Sequence, residues 1–487
     1  MIVQILGAKQ LSPFVGTSHF VWTAQIAVTL VALACGYYVG GTMADRSPRP
    51  LRLYAGLMVA AVYLALTIRM VEPVAYWSLR FSLPVGTFLA STVLFFVPLA
   101  LLAMTGPFVV RVLASSVSTV GGSVGRLTAI GTLGSFLGTI LIGYFMIPLL
   151  SNSVAMYVTV AALLLVCGGY FLFTPQKGAM ALPVLLAAVC GIIALPELIQ
   201  APRFKWVKEQ YRANSHFGTL QVLDRPDGTC RYYLNDNLIQ NTYAPLTRQS
   251  ASTFTYMLSG LARAYTTNLS DALCIGLGIG IVPRDFAGQG IRVDVVEINP
   301  DIVPMAVKFF DFDPSQVNLM INDARYVLNQ TRKQYDAVIL DAFLGDSSPS
   351  HLMTQEAFTA VRRVLRPGGV LVINAFADID PGKDFFAGSL YKTLTAVFPG
   401  VKLHSNGDGA IFVVATDRPN PEFVRAPDFS QVHPDALRST ERAFATLVTT
   451  APESGRVLTD DYNPVEFYDA RNREQVRRRL AEAVKDM

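Results

Sequence analysis

Charged side chains are scarce in this 487-residue chain. Asp, Glu, Lys and Arg make up 16% of it, whereas typical soluble proteins hold about a quarter. The shortage is local, because residues 1–199 carry only 12 of the 76 charged residues. A single soluble domain and a disordered chain are therefore excluded. The net charge of +4 is also too small to indicate nucleic acid as a partner.

Cysteine is rare as well, and no two of the five cysteines form a CxxC pair. Cys35, Cys167 and Cys190 lie in apolar runs, where a buried thiol is the ordinary interpretation. Cys230 and Cys274 stand apart from the others. This spacing predicts neither a disulfide framework nor a zinc site, and we expect no metal cofactor.

Long apolar runs fill the N-terminal two-fifths of the chain. Six of them approach the length of about 20 residues that crosses a bilayer as a helix, and short links rich in Gly, Pro and Arg separate them. They predict an N-terminal α-helical membrane domain over residues 1–200, with the lipid bilayer as a partner. The runs cover residues 21–41, 53–72, 86–106, 128–149, 153–174 and 180–199.

Small residues recur at helix-packing spacing within these runs, which favours close packing of helices over a substrate path. No Asp, Glu, Lys or His lies in the middle of a predicted span, whereas ion pathways usually require one. An ion-coupled transporter is therefore disfavoured. The small residues are Gly36, Gly40 and Gly41 in one run and Gly131, Gly134, Gly138 and Gly143 in another.

The arginine-rich links predict which ends of the spans face the cytoplasm. Counting six spans from them places the C-terminal part of the chain outside the cell, whereas its chemistry favours the cytoplasm, so both sides stay open. A cell-membrane location is expected in either case. Residues 1–16 lack the charged start of a signal peptide. They are interpreted as a short interfacial helix or as the remainder of a span lost to a late start codon.

The remaining residues have the composition of a globular protein. Residues 203–245 alternate polar and apolar side chains around turn signals, which is typical of a small β-hairpin subdomain. Residues 246–470 then repeat an apolar strand, a glycine turn and a helix, which predicts a Rossmann-like, class I methyltransferase-like α/β domain. A helix is expected from residue 247 to 266, and a basic C-terminal helix in residues 471–487. Strands are expected at 272–275, 293–297, 317–321, 337–340, 370–374, 401–404 and 410–415.

The first of these strands runs into a glycine turn, Cys274-Ile-Gly-Leu-Gly-Ile-Gly280. Gly276, Gly278 and Gly280 let the backbone approach a ligand, and the following helix offers free N–H groups. Glu297, at the end of the next strand, can accept both hydrogen bonds of a ribose diol. The GxGxG spacing with this acid favours a nucleoside over NAD, although glycine turns also serve packing.

Two further acids follow predicted strands. Asp323 is placed where such folds hold the amino group of adenine, and a helix N-cap explains it equally well. Asp341 lies at the carboxyl edge of the sheet, where ligands bind. A carboxylate there can hold a cationic amine and accept its proton, so that the amine attacks carbon beside a sulfonium. An ordinary strand-end cap is the alternative for Asp341.

Residues 206–468 resemble the spermidine synthase (polyamine aminopropyltransferase) family, and the whole chain resembles its membrane-fused branch with an N-terminal multi-span domain. The motifs that carry the resemblance are Leu234-Asn-Asp-Asn-Leu-Ile-Gln240, Cys274-Ile-Gly-Leu-Gly-Ile-Gly280, Val295-Val-Glu297-Ile-Asn, Asn322-Asp323-Ala324, Tyr335-Asp-Ala-Val-Ile-Leu-Asp341, Leu365-Arg-Pro-Gly-Gly-Val-Leu and Leu458-Thr-Asp-Asp-Tyr-Asn-Pro-Val-Glu466.

The resemblance implies decarboxylated S-adenosylmethionine as co-substrate and Asp341 as the base that takes a proton from the attacking amine. It implies a small-molecule amine as partner, and related enzymes that act as oligomers suggest a homodimer. The implied donor-binding residues are Gln240, Gly276, Gly278, Gly280, Glu297, Asp323 and Ala324. The implied acceptor-binding residues are Tyr256, Asp346, Asp460 and Asp461.

The chain departs from the family pattern at three places. The family has an acid in the glycine turn that grips the aminopropyl ammonium, and Ile279 stands there instead. The tyrosine that matches Tyr256 is followed by Met257 and Leu258 rather than a polar pair. In the loop after Asp341, the second acid, Asp346, lies two residues further on than in the family.

The leading hypothesis is transfer of an aminopropyl group from decarboxylated S-adenosylmethionine to a di- or polyamine, of the putrescine-to-spermidine type, with release of 5′-methylthioadenosine. Loss of the acid at Ile279 keeps an S-adenosylmethionine-dependent methyltransferase open as the second hypothesis, with S-adenosylmethionine as its donor. The third hypothesis is a membrane protein that senses polyamine or nucleoside without catalysis.

Overall fold

The computed structural model describes residues 1–16, 19–113, 117–173, 181–198, 206–343, 349–407, 409–448 and 454–468. The chain divides into two compact units, Met1–Arg203 and Phe204–Met487. The basic helix predicted for residues 471–487 lies outside the described residues.

The first unit is helical throughout its described part. Two π-helical turns, Thr92–Phe96 and Leu141–Met146, interrupt the longer helices. The helices are α1 (Ile2–Val15), α2 (His19–Arg46), α3 (Pro50–Ser78), α4 (Leu83–Ser91), α5 (Val97–Ala103), α6 (Thr105–Leu113), α7 (Val117–Ile140), α8 (Ile147–Leu149), α9 (Asn152–Leu172) and α10 (Ala181–Leu198).

Five helical stretches in the described residues are long and apolar enough to cross a membrane. They coincide with the first five predicted runs. Within the described residues, the sixth predicted run contains a shorter apolar helix, Pro183–Leu195, so five of the six predicted runs reach spanning length there. The five stretches are His19–Arg46, Pro50–Ser78, Leu83–Leu113, Val120–Met146 and Asn152–Leu172.

The glycines of α2 pack as their spacing predicts. A Cβ atom at Gly36 would collide with the carbonyl of Ala100, and one at Gly40 would lie 2.7 Å from the Cα of Met104. The second set behaves differently, because a Cβ at Gly131, Gly134 or Gly143 would meet no described atom within 4 Å. Helix packing is therefore confirmed for α2, whereas for those three glycines it stays a prediction, because no described residue packs against them.

The second unit opens with a five-stranded antiparallel sheet in which each strand pairs with the next along the chain. It continues past the predicted hairpin region to Ser250. The last short strand takes residues that were expected to be helical, so the following helix begins at Thr253 rather than at 247. The strands are β1 (Lys208–Ser215), β2 (Gly218–Asp224), β3 (Arg231–Asn235), β4 (Leu238–Ala244) and β5 (Gln249–Ser250).

A seven-stranded sheet follows, and all seven predicted strands are present in it. Its order is β11-β12-β10-β9-β6-β7-β8, with β6 to β10 parallel and β12 antiparallel to both neighbours. The strands are β6 (Asp271–Ile275), β7 (Arg292–Glu297), β8 (Asn318–Ile321), β9 (Tyr335–Leu340), β10 (Leu365–Phe376), β11 (Gly400–Ser405) and β12 (Ala410–Thr416).

Helices connect these strands, as the alternation of strand and helix signals predicts. They are α11 (Thr253–Tyr265), α12 (Ile281–Gly288), α13 (Ile302–Phe309), α14 (Ala324–Gln330), α15 (Gln355–Val364), α16 (Phe385–Thr395), α17 (Pro434–Ala445) and α18 (Val465–Tyr468). Strand order reverses between β6 and β9, because the chain winds outward through β7 and β8 on one side and through β9 and β10 on the other. A switch point of this kind opens a crevice at the carboxyl ends of the strands.

Both faces of the central strands are buried, as is usual for a parallel sheet covered by helices. Successive residues alternate between two cores: Cys274 and Ile339 belong to one, and Ile275 and Leu340 belong to the other. Every residue of β6 and β9 is buried. The two strands that border the crevice are therefore held rigidly on both sides.

The amino ends of the strands are joined by ion pairs. The buried carboxylate of Asp271 accepts hydrogen bonds from Arg292 at 2.7 Å and forms an ion pair with Arg366 at 2.9 Å. Arg366 also pairs with Asp336 at 2.9 Å. The hydrogen bonds from Arg292 hold the pKa of Asp271 down to about 2, and burial opposes that shift. This network links β6, β7, β9 and β10 at the edge opposite the crevice.

Replacing Asp271 with Asn should lower the free energy of unfolding of the full chain by about 3 kcal/mol at neutral pH, because both arginines lose a buried charged partner. The loss appears as a lower thermal unfolding midpoint. A carboxylate with a lowered pKa stabilises the fold above its ordinary pKa and ceases to do so as the pH falls towards 2. The gap between wild type and Asp271→Asn should therefore narrow between pH 4 and 2. Glu441→Gln, at an exposed position of α17, is the control, and an equal loss there would contradict the prediction.

Candidate active site

A cavity lies at the carboxyl ends of β6, β7 and β9, at the switch point of the sheet. The glycine turn after β6 forms one wall. Gly276, Gly278 and Gly280 have φ angles of +97°, +54° and +80°, which side chains rarely adopt. A Cβ atom at Gly276 would collide with the carbonyl oxygen of Asp341. Glycine at 276 thus lets the ends of β6 and β9 touch through their backbones.

Glu297 ties this turn to the end of β7. One carboxylate oxygen accepts a hydrogen bond from the N–H of Leu277 and the other from the N–H of Asn299, both at 2.8 Å. Burial raises the pKa of Glu297, and these N–H groups oppose the rise. Gln240, on β4, lines the same cavity. The antiparallel sheet therefore contributes an amide to the cavity that also holds the acid predicted for the ribose.

Asp323 caps α14, since its Oδ1 accepts hydrogen bonds from the N–H groups of Arg325 and Tyr326 at 2.8 and 3.1 Å. It also lines the cavity with Ala324. Its Oδ2 lies 3.1 Å from Nε2 of His351. The N-cap interpretation is thus confirmed for Oδ1 of Asp323, whereas Oδ2 contacts His351.

Asp341 lines the cavity directly after β9. Burial raises the pKa of its carboxyl to about 6, and a 3.0 Å hydrogen bond from Nδ2 of Asn374 opposes that rise. Asn374 projects from the neighbouring strand β10. A carboxylate whose pKa lies near neutrality can both accept and release a proton at physiological pH.

The cavity lining carries acids and no basic side chain of Lys or Arg among the described residues. Its acids are Glu297, Asp323 and Asp341. Aliphatic side chains make up much of the rest, together with a few aromatic ones, and the ring centroids of two of these, Phe343 and Phe376, lie 5.2 Å apart. The cavity therefore suits a ligand that combines positive charge with apolar surface.

The residue that departs from the family pattern, Ile279, is 2% exposed and lines this cavity. Two buried amide oxygens lie on the same lining. Oδ1 of Asn235 and Oδ1 of Asn374 have no hydrogen-bond partner among the described residues. Neutral acceptors are thus present in a cavity that lacks an acid at position 279.

Three of the four predicted acceptor residues, Tyr256, Asp460 and Asp461, lie outside the described lining of this cavity. The hydroxyl of Tyr256 donates to the carbonyl of Ser250 at 2.6 Å, and Tyr256 lies outside the described lining. Asp460 pairs with Arg325 at 2.7 Å, and Asp461 is exposed. Asp346 lies outside the described residues. A match of sequence motifs places a residue near a site without fixing where its side chain points.

Two cavity residues were not singled out from the sequence. Asn374 could have been found as a polar residue near the end of an otherwise apolar strand, the signal that marked Glu297 and Asp341. His351 follows a loop and stands on a short 3₁₀ turn, Ser350–Leu352. No periodic pattern predicts that this turn faces the cavity.

Comparison with known proteins gives four relevant matches: one family model, two relatives and one solved structure. Residues 252–387 match the family model of the spermine/spermidine synthase domain. The polyamine aminopropyltransferase of Vibrio vulnificus is 29% identical over 254 residues, which cover 48% of this chain and 78% of that protein. The N-terminal histidine N-methyltransferase of Emericella nidulans is 33% identical over 172 residues, which cover 33% of this chain and only 29% of that protein. A probable spermidine synthase from Corynebacterium glutamicum superposes with a TM-score of 0.40 and 17% identity, over 54% of this chain and 98% of that one.

Substituting alanine at Gly276 should lower the free energy of unfolding by roughly 3 kcal/mol, through backbone strain and overlap with the carbonyl of Asp341. Alanine at Gly278 is the matched control. It shares the positive φ, but its Cβ would meet no described atom within 4 Å, so only about 1 kcal/mol of strain is expected. Thermal unfolding of the two full-length variants measures the difference. Equal losses would show that close contact between the two strand ends is not the constraint.

Proposed function

We propose that the chain, which contains a spermine/spermidine synthase domain, is a polyamine aminopropyltransferase that uses decarboxylated S-adenosylmethionine and releases 5′-methylthioadenosine. One observation carries the proposal: a cavity at the switch point whose acidic side chains, Asp341 among them, are joined by no Lys or Arg in the described lining. The similarity to the Vibrio vulnificus enzyme supports the same conclusion.

The reaction needs little beyond position and charge. The amine nitrogen attacks the carbon next to the sulfonium, a C–N bond forms, and the C–S bond breaks with its electron pair going to sulfur. Asp341 takes the proton that the amine must lose, and the hydrogen bond from Asn374 orients its carboxylate. Glu297 and Gln240 would hold the ribose and Asp323 the adenine. Since the sulfonium is already an activated leaving group, bringing the two reactants together does most of the work.

The charges of the cavity favour the decarboxylated donor. S-adenosylmethionine would bring its own carboxylate among three acids, and no Lys or Arg of the described lining could neutralise it. The decarboxylated donor keeps the ammonium and lacks that carboxylate. Ile279 supplies no charge for the ammonium, so the acids of the same lining, Glu297, Asp323 and Asp341, are the groups that can balance it.

Incubation of the purified chain with each donor and putrescine tests the proposal. With decarboxylated S-adenosylmethionine we expect 5′-methylthioadenosine and an aminopropylated amine, both measured by chromatography and mass spectrometry. Release of S-adenosylhomocysteine from S-adenosylmethionine would instead support the methyltransferase hypothesis. Nucleoside binding without either product would support a sensor.

Asp341→Asn should reduce kcat by about 10²-fold or more, because the base is lost, while the affinity for 5′-methylthioadenosine is retained.

In the wild type, kcat/KM should fall as the pH drops below about 6, since the raised pKa of Asp341 leaves less of the carboxylate charged. Asn374→Leu should move this acidic limb to higher pH, because it removes the hydrogen bond that favours the charged form. An unchanged limb in Asn374→Leu would contradict the assignment, and Glu441→Gln serves as the control.

We propose further that the first unit spans the cell membrane, supported by its five long apolar helices. The full chain should then stay in the membrane fraction after alkaline carbonate washing. Protease treatment of sealed, oriented vesicles measures the side on which the second unit lies. Recovery of the full chain in the carbonate supernatant would contradict membrane insertion.

A further inference from the structure

The segment from Ser454 to Tyr468 contacts the Ser350–Leu352 turn and the start of α15, beside Asp323 and Ala324, where the adenine is proposed to bind (the nucleoside end of the cavity). The carbonyl of Leu458 accepts a hydrogen bond from the N–H of Gln355 at 2.8 Å. Nδ2 of Asn463 donates to the carbonyl of Ser350 at 3.0 Å. The segment thus fastens both ends of the turn that leads into α15. We call Leu458, Asp460 and Asn463 the C-terminal clasp.

Asp460 is the charged member of the clasp. Its Oδ2 lies 2.7 Å from Nη2 of Arg325, and its Oδ1 accepts a 2.6 Å hydrogen bond from the hydroxyl of Thr354. Nη1 of Arg325 donates to the carbonyl of His351 at 2.9 Å. The side chain of Arg325 is 18% exposed and that of Asp460 is 50% exposed, so solvent reaches this pair from the Asp460 side only in part.

His351 is where these contacts meet the cavity. Its Nε2 lies 3.1 Å from the oxygen of Asp323 that does not cap α14, and both residues line the cavity. Arg325 stands two residues after Asp323 on α14 and holds the backbone of His351. One ion pair therefore fixes the distance between the two side chains at the nucleoside end.

We propose that Arg325 and Asp460 are positioning residues for donor binding, which hold His351 against Asp323 without touching the donor themselves. This inference rests on the proposed nucleoside site. Neither residue belongs to the described cavity lining, so their effect passes through the His351 turn. A site whose walls are held in place before binding loses less entropy when the ligand enters, so the pair should set donor affinity rather than the rate of the chemical step.

Asp460 takes on a different role from the one that the family resemblance implies. As an acceptor-binding residue it would alter the KM of the amine. As part of the clasp it should alter the KM of the nucleoside donor, because its partners are Arg325 and Thr354 and its link to the cavity is His351. The two roles are therefore separable by kinetics.

The test uses the full chain and 5′-methylthioadenosine as the probe, with binding measured by isothermal titration calorimetry. Asp460→Asn should weaken binding about tenfold, the loss expected for one charge-assisted hydrogen bond. Asp460→Glu should restore most of the affinity, because it returns the negative charge. In turnover assays of Asp460→Asn, the KM of the donor should rise about tenfold, while kcat at saturating donor and the KM of the amine change less than twofold.

Asp285→Asn is the matched control. Asp285 forms a 3.0 Å ion pair with Arg263, which is comparably exposed and lies outside the described cavity lining. This variant loses a similar ion pair, so it reports the effect of lower stability alone. Its nucleoside affinity should equal that of the wild type.

Unchanged affinity in Asp460→Asn, or the same loss in Asp285→Asn, would overturn the proposal, as would failure of Asp460→Glu to recover binding. A rise in the KM of the amine in place of the donor would return Asp460 to the acceptor site and overturn it too. If the Asp460→Asn effect on 5′-methylthioadenosine binding is found but no transfer occurs with any amine, the clasp stands and the proposed activity falls. Absence of nucleoside binding by the wild type would refute both.

Discussion

The active-site architecture of this protein depends on one close backbone contact, between Gly276 and the carbonyl of Asp341 at the point where strand order reverses. Because the two strand ends touch there, the glycine turn and the candidate base face the same crevice. The hydrogen bond from the N–H of Leu277 to Glu297 then fixes the third strand end against them. The ends of β6, β7 and β9 thus bring the glycine turn, Glu297 and Asp341 together through contacts that involve few side chains.

Burial makes this arrangement electrostatically demanding. Glu297 and Asp341 are acids whose charged forms are disfavoured by their surroundings, and each is partly compensated by N–H donors. The described lining of the cavity adds no Lys or Arg. A sulfonium donor with an amine acceptor, as proposed above, would stabilise the charged forms of these acids further. The buried acidic lining therefore accounts both for the affinity of the cavity for a ligand and for the class of substrate that it favours.

The sequence predicts the structure correctly where the signal is hydrophobic periodicity or a polar residue at the end of a strand. Apolar runs that stop at a polar residue predict all seven strands of the large sheet. The same signal marks Glu297, Asp323 and Asp341 as candidate site residues. Residues placed by loop and side-chain geometry could not be found in the same way. Tyr256 turns to the carbonyl of Ser250, and Asp460 turns to Arg325, because local hydrogen-bond partners decide their rotamers. The role of His351 depends on residues more than a hundred positions away, which no local pattern encodes.

The acidic lining also has a consequence for the end of a catalytic cycle. Transfer turns two cationic reactants into a neutral nucleoside and an amine with one more nitrogen than before. The nucleoside loses its electrostatic attraction to the cavity at the moment of reaction, whereas the lengthened amine keeps or increases its own. Departure of the polycation is therefore the step that the acids at Glu297, Asp323 and Asp341 oppose, and a rise in ionic strength would assist it.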